Sequence, residues 1–363
     1  MHSITADRLL PLLDEPGSLY LLDVREPDEF AAWRIPGSVN VPLGTLGDHI
    51  AEVPRDREVV TVCAAGTRAT RAAELLSGSG IDAGVLAGGM DGWAETYDSA
   101  SIDLGGATVV QVRRRGKGCL SYIIGTQGAA VVIDPSADIE QYTKLAQDRG
   151  WAITHIFDTH LHADHVSGAR ALAAATGAEV VLNPADPFRF AYTPLADGMR
   201  IALSDEVALT VSVMSTPGHT EGSTSFLLGD SAIFSGDILF LESVGRPDLA
   251  DQAEEFAHAL YRTLHDKVLE LPGDAVVFPA HYGDAVEVHA GTVVGERLDA
   301  LRAGLRMLSM DEDEFVAWAS SSVPDRPPNY VEIVKANQGS TSLSAEERRT
   351  LEVGPNRCAI SAH

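Results

Sequence analysis

The sequence predicts a small α/β unit followed by two packed β-sheets with helices on their outer faces. Three observations lead there. Over residues 1–98, short apolar β-rich runs alternate with segments of helical period. Beyond residue 106, strand-like runs follow in quick succession with amphipathic stretches between them. Several of those later runs end in histidine or aspartate, the arrangement by which loops at one edge of a β-sandwich aim side chains at a common point.

Residues 19–24 and 58–63 read as buried parallel strands. Residues 68–77 carry helical spacing through Ala69, Ala72, Ala73 and Leu76, and the strand 83–86 is closed by Gly88-Gly89. The stretch 99–106 is small and polar and is expected to be a linker. Strands are then expected at 109–113, 120–124 and 129–133, a helix at 139–149, a strand at 153–158 and a helix at 166–176. The second half repeats the mixture, with strands at 209–213, 225–228, 232–234 and 275–278. A helix at 252–271 presents Phe256, Leu260, Leu264 and Val268 to the core. The domains are thus 1–98, 107–295 and a tail, 296–363, that is helical and then loop-like around 324–330. No repeat or low-complexity tract interrupts them.

The 363 residues are long for one core and comfortable for two, and 45% apolar content allows each an interior. A net charge of −25 argues against nucleic acid, which needs clustered Lys and Arg, and against anionic membrane surfaces. No run approaches a membrane span, and residues 1–15 lack the apolar block of a secretory leader. The widely separated Cys63, Cys119 and Cys358 suggest no disulfide framework. A cytoplasmic location is therefore the expectation, with each cysteine either a reactive thiol or a small buried apolar residue. Cys119 reads as the latter and Cys358 as a tail thiol.

The strongest chemical signal is His160-Leu161-His162-Ala163-Asp164-His165, followed by His219, Asp237 and His281. Five of the twelve histidines fall in this set, and imidazoles with carboxylates at loop ends are what a first-row transition metal needs. In the loop, alternate side chains point in opposite directions, so His160 and His162 can face one metal while Asp164 and His165 face a second. Pro217-Gly218 forces a tight turn that leaves His219 projecting. The order H-x-H-x-D-H, G-H, G-D, A-H resembles the metallo-β-lactamase superfamily over about 109–294. That resemblance implies an αββα sandwich without fixing the chemistry.

Cys63 ends a predicted strand and opens Cys63-Ala64-Ala65-Gly66-Thr67-Arg68, after which a helix starts. Loop amides, the helix N-terminus, Arg68 and Arg71 would all favour a thiolate able to accept sulfur. Asp23-Val24-Arg25, Ile35-Pro36-Gly37, this C-x-x-G-x-R loop and Gly88-Gly89-Met90-Asp91-Gly92-Trp93 together resemble a rhodanese domain over nearly all of 1–98. The resemblance implies that Cys63 is the sulfur-carrying nucleophile and that residues 63–68 cradle it. Arg34 stands where that family commonly has His.

A rhodanese joined to a metallo-β-lactamase-type domain resembles the persulfide dioxygenase–rhodanese group. Gly245-Arg246-Pro247-Asp248-Leu249, Cys119-Leu120-Ser121-Tyr122 and Pro327-Pro328-Asn329-Tyr330 are similar to that group. The resemblance implies one Fe(II) per chain on His160, His219 and Asp237, with His162, Asp164, His165 and His281 orienting water and ligands around it. Two histidines and a carboxylate on one face leave room for substrate and O2 together. The partners are then O2 and a low-molecular-weight thiol persulfide such as glutathione persulfide, oxidised to sulfite. Arg246, Tyr122 and Tyr282 are candidate substrate contacts, and a homodimer is a family-style expectation. Two alternatives stand. A glyoxalase II-type thioester hydrolase would use two zinc ions bridged by Asp237, with His162, Asp164, His165 and His281 serving the second metal. A persulfide carrier or sensor would not turn over at all.

Overall fold

The computed structural model describes residues 2–203, 210–248, 252–322, 326 and 329–360. The chain divides into two units: Met1–Asp98 with Arg114–Gly118 and Val353–Pro355, and Ser99–Arg113 with Cys119–Glu352 and Asn356–His363.

In the first unit the apolar runs pair in parallel. The sheet order is His2–Ile4, Ala83–Leu86, Glu58–Val62, Leu19–Asp23, Val39–Asn40. Because side chains alternate across a strand, neighbouring residues serve opposite faces. Leu22 and Val59 pack with Ala69, Ala72 and Leu76 of helix Thr67–Gly78 on one face. Leu21 and Val60 pack with Leu9, Leu10, Met90 and Trp93 on the other. Burial on both faces is why these strands read as continuous apolar runs.

In the second unit two mixed sheets face each other. One runs in the order Thr193–Pro194, Glu179–Leu182, Ala152–Phe157, Ala129–Ile133, Cys119–Thr126, Ala107–Arg114, Tyr97–Leu104. The other runs Arg200–Ala202, Thr210–Ser215, Thr224–Leu228, Ala232–Gly236, Val276–Pro279, Glu296–Arg297. Tyr122, Ile124, Val131 and Phe157 of the first meet Val211, Phe226, Phe234 and Phe278 of the second in a shared core. Helix Ala253–Asp266 closes the outer face of the second sheet, with Leu260 and Leu264 against Ile233 and Val277.

Strand direction places the chemistry. Ala129–Ile133 and Ala152–Phe157 are parallel, so both end at one edge of their sheet. Ala232–Gly236 and Val276–Pro279 are parallel, and Thr210–Ser215 reaches the same sense through two antiparallel pairings. The loops carrying His219, Asp237 and His281 therefore leave one edge of the second sheet.

Three expectations need correction. The stretch 99–106 is no linker: Tyr97–Leu104 is an edge strand paired with Ala107–Arg114, alternating a buried Ala100 with exposed Ser99 and Ser101. Its small polar residues are the solvent face of a strand. The helix expected at 166–176 begins at Ala169, because residues 166–168 are held in the loop that precedes it. That expected at 252–271 ends at Asp266 and gives way to a 3₁₀ turn, Val268–Glu270. The tail contributes helices Leu298–Gly304, Glu312–Ser321, Tyr330–Asn337 and Ala345–Glu352. Leu209, Leu249 and most of 324–330 lie outside the described residues. No helix among the described residues is long and apolar enough to cross a membrane.

Candidate metal centre and sulfur loop

His160, His219 and Asp237 come together in the interior of the second unit. Their exposures are 2%, 1% and 2%. Asp237 Oδ2 lies 3.6 Å from His160 Nε2 and 3.5 Å from His219 Nε2. All three atoms are buried and accept or donate no hydrogen bond. Buried polar atoms are almost always paired, so three orphans aimed at one another are the signature of a missing electrophile. Two imidazoles and one carboxylate oxygen fit an Fe(II) or Zn(II) ion.

The remaining atoms of these ligands are pinned. His219 Nδ1–H donates to the Arg246 carbonyl at 2.9 Å, leaving Nε2 as the lone-pair nitrogen. Asp237 Oδ1 receives His281 Nδ1–H at 2.7 Å, which turns Oδ2 toward the two imidazoles. Burial, with His162 alongside, holds His160 well below the usual imidazole range, and burial likewise lowers His219. Both are thus neutral, as metal ligands must be.

His281, Asp164 and His165 satisfy each other instead. His281 Nε2 is 2.9 Å from Asp164 Oδ2, and His165 Nδ1 is 3.0 Å from Asp164 Oδ1. Burial opposes charge on His281, but Asp237 and Asp164 outweigh it and hold the imidazole well above its usual range; Asp164 does the same for His165. Cys119 joins this group, its Sγ 3.6 Å from Asp164 Oδ2. Burial pushes its thiol up, yet the charge on His281 brings it down to about 7. It is not the bland apolar residue expected. Nor is Cys358 a free tail thiol. It is 4% exposed and its sulfur lies among Asp237 and His281, whose surroundings, burial first and then the two carboxylates, hold it well above the usual thiol range.

His162 turns away from this group. Its Nε2–H donates to Asp134 Oδ1 at 3.1 Å, while Nδ1 is buried without a partner. Asp134 also accepts from Thr159 N at 2.6 Å and Thr159 Oγ1 at 2.9 Å, so one carboxylate positions the start of the loop and one of its histidines. Asp186, 4% exposed, accepts from Leu161 N at 2.7 Å and Gly222 N at 3.1 Å, tying the loop of His160 to that of His219. Sequence reasoning missed both aspartates. Asp134 had a readable signal, an acid directly after a strand and before Pro135; Asp186 had none.

Two substrate candidates are structural. Arg246 is 1% exposed, with Nε and Nη2 on Asp248 at 2.7 and 2.9 Å and Nη1 on the Arg357 carbonyl at 3.1 Å. A guanidinium so committed is a local brace rather than a carboxylate receptor. Tyr122 is core: its hydroxyl donates to the Pro279 carbonyl and its ring packs edge-on to Phe234. Tyr282, half-buried beside His281, packs against the inter-sheet core.

In the first unit Cys63 follows strand Glu58–Val62, and its Sγ accepts from Gly66 N at 3.1 Å and Ala69 N at 3.3 Å. Gly66 takes φ +101° to begin helix Thr67–Gly78, which aims the first free amides at the sulfur. The loop carbonyls of Cys63 and Ala64 are held from below by Met90 N (2.9 Å) and Asp91 N (3.1 Å). Arg68 does not touch the sulfur; it makes a two-pronged pair with Glu29 at 2.6 and 2.7 Å.

Comparison with known proteins identifies the fold of both units. Residues 114–281 match the metallo-beta-lactamase superfamily and residues 5–96 the rhodanese-like domain. The chain is 35% identical over 187 residues to a hydroxyacylglutathione hydrolase of Rhodospirillum rubrum, covering 51% of this chain and 68% of that one. It is 31% identical over 222 residues to the human mitochondrial persulfide dioxygenase ETHE1, covering 60% of this chain and 82% of that one. The crystal structure of ETHE1 from Myxococcus xanthus aligns at a TM-score of 0.57 with 27% identity, over 64% of this chain and 98% of that one. With its clustered histidines in loops that follow strands of the two facing sheets and its cysteine cradled at the end of a parallel strand, the chain belongs to the metallo-β-lactamase superfamily and carries a rhodanese-like domain ahead of that fold in sequence.

Proposed function

We propose that this chain oxidises a low-molecular-weight thiol persulfide with O2 at a single iron on His160, His219 and Asp237, and handles sulfur at Cys63. The supporting observation is the contrast between two neighbouring donor sets. His160 Nε2, His219 Nε2 and Asp237 Oδ2 are orphaned and convergent, whereas Asp164, His165 and His281 have used their donors on one another. The likeness to the persulfide dioxygenases, and the rhodanese-like unit in the same chain, point the same way.

The net reaction is RSSH + O2 + H2O → RSH + H2SO3. When bound, the iron supplies a redox-active centre with open positions for sulfur and O2. The chain supplies the rest. Arg246 O and His281 fix the faces that His219 and Asp237 present. Burial of the whole group would limit access of bulk water to a sulfur bound there. His281 lies between two carboxylates, Nδ1 on Asp237 Oδ1 at 2.7 Å and Nε2 on Asp164 Oδ2 at 2.9 Å, and would hold a proton at Nε2 beside Asp164. In the first unit, the amides of Gly66 and Ala69 would carry the negative charge of a Cys63 persulfide.

A thioester hydrolase of glyoxalase II type is the second reading. It is favoured by the unpartnered Nδ1 of His162, which Asp134 presents as a further donor, and by the similarity to hydroxyacylglutathione hydrolases.

Metal content and oxygen uptake test the proposal together. Purified protein should hold about one iron per chain, consume O2 with glutathione persulfide and release sulfite. Uptake should survive Cys63→Ser and vanish in His219→Ala. Two zincs per chain, with thioester cleavage and no oxygen uptake, would falsify it.

A further inference from the structure

The tail after the sandwich has no part in the proposed triad, yet two of its side chains reach the loop that carries His160. Residues 159–168 form no regular element, so their buried backbone groups must find partners elsewhere. Asn337, at the end of helix Tyr330–Asn337 and 7% exposed, supplies them. Its Nδ2 donates to the carbonyls of His162 and His165, both at 2.8 Å, and its Oδ1 accepts from Ser167 N at 2.9 Å. Glu352, 1% exposed, accepts from Val166 N at 2.6 Å and pairs with Arg348 at 2.7 Å.

We infer that Asn337, with Glu352 acting on the adjacent residue, is a positioning residue for the metal centre: the tail sets the curvature of the His160–His165 loop and thereby the geometry of its donors. One amide group bridging two carbonyls three residues apart fixes the turn that holds Asp164 between them. Both carbonyls belong to histidines of the loop, so a shift in either rotates an imidazole. Ser167 N adds a third point, and Glu352 a fourth on the adjacent residue. The four hydrogen bonds from Asn337 and Glu352 are all directed at the loop backbone, where an unmade hydrogen bond is costly.

The inference requires only a metal on this loop and holds for either reading of the chemistry. The test uses full-length protein and Co(II), whose visible spectrum reports ligand geometry. Asn337→Asp keeps the acceptor for Ser167 and removes both donors. It should weaken Co(II) binding, measured by chelator competition, by about 10- to 100-fold, the range seen when groups behind metal ligands are lost, and should shift the Co(II) spectrum. Glu352→Gln keeps an acceptor for Val166 and should weaken binding less. Phe315→Leu, in a core helix away from the loop, serves as a control of comparable thermal destabilisation and should leave affinity and spectrum unchanged. Native affinity and spectrum in Asn337→Asp would overturn the inference. If that variant does not fold, native affinity and spectrum in Glu352→Gln would do so. Failure of oxygen uptake in the unaltered protein would count against the dioxygenase alone.

Discussion

Asp237 and His281 divide one carboxylate between two duties: Oδ1 takes the His281 Nδ1–H at 2.7 Å, and Oδ2 is left facing His160 and His219. The ligand's orientation thus depends on a histidine outside the proposed triad. His281→Ala should leave Asp237 free to rotate and should weaken metal retention by about 10- to 100-fold. Equilibrium dialysis against a chelator reads this directly. Unchanged retention would mean that the sheet edge alone orients the carboxylate.

The sulfur loop depends on a glycine that carries no chemistry. Gly89 has φ +57°, and a Cβ there would stand 2.2 Å from the Cys63 carbonyl and 2.6 Å from that of Ala64. Gly89→Ala should push the loop off the amides beneath it. Sulfur transfer from thiosulfate to cyanide should fall at least tenfold, while metal binding in the second unit stays native. Full transferase activity would show that the loop can shift without cost.

Acid should loosen the other side of that loop. The Arg68 guanidinium holds Glu29 down at about 2, below its ordinary carboxylate range. A depressed folded-state value contributes stability above the unfolded value, near 4.3, and loses it as pH falls toward 2. Both groups are partly exposed, so the effect is local and small. An NMR titration should find the Glu29 carboxyl titrating near 2, and Arg68→Gln should return it toward 4.3. A midpoint near 4.3 in the unaltered protein would show that the pair does not persist in solution.

Arg246 separates a brace from a receptor. Arg246→Lys loses the forked contact with Asp248 and the reach to the Arg357 carbonyl, so the melting temperature should drop. The KM for persulfide should change less than twofold if the guanidinium, held by Asp248 and the Arg357 carbonyl, acts as a brace. A raised KM at an unaltered melting temperature would restore the substrate role.

Much of this architecture was legible because it rests on local rules. The H-x-H-x-D-H spacing and the later His219, Asp237 and His281 each sit just past a strand, and strand runs announce themselves by β-rich apolar residues. The Cys63 loop was readable for the same reason. What escaped was set by distant partners. Arg246 looked available because nothing nearby in sequence announces that Asp248 and the Arg357 carbonyl will occupy it. Cys358, Asn337 and Glu352 are brought to the centre from more than 70 residues away by pairings such as Gly245 with Ala359, which no periodicity encodes. The strand Tyr97–Leu104 was mistaken for a linker because an edge strand with one wet face is compositionally close to a loop.

The turn before His219 carries a consequence of its own. Gly218 sits at φ +145°, and a Cβ there would lie 2.5 Å from Leu260 Cα in helix Ala253–Asp266. That helix carries none of the proposed ligands, yet it holds a veto over which residue can precede the second histidine. Mutational drift at position 218 is closed off by scaffolding, so its invariance among descendants of this chain would record crowding rather than catalysis.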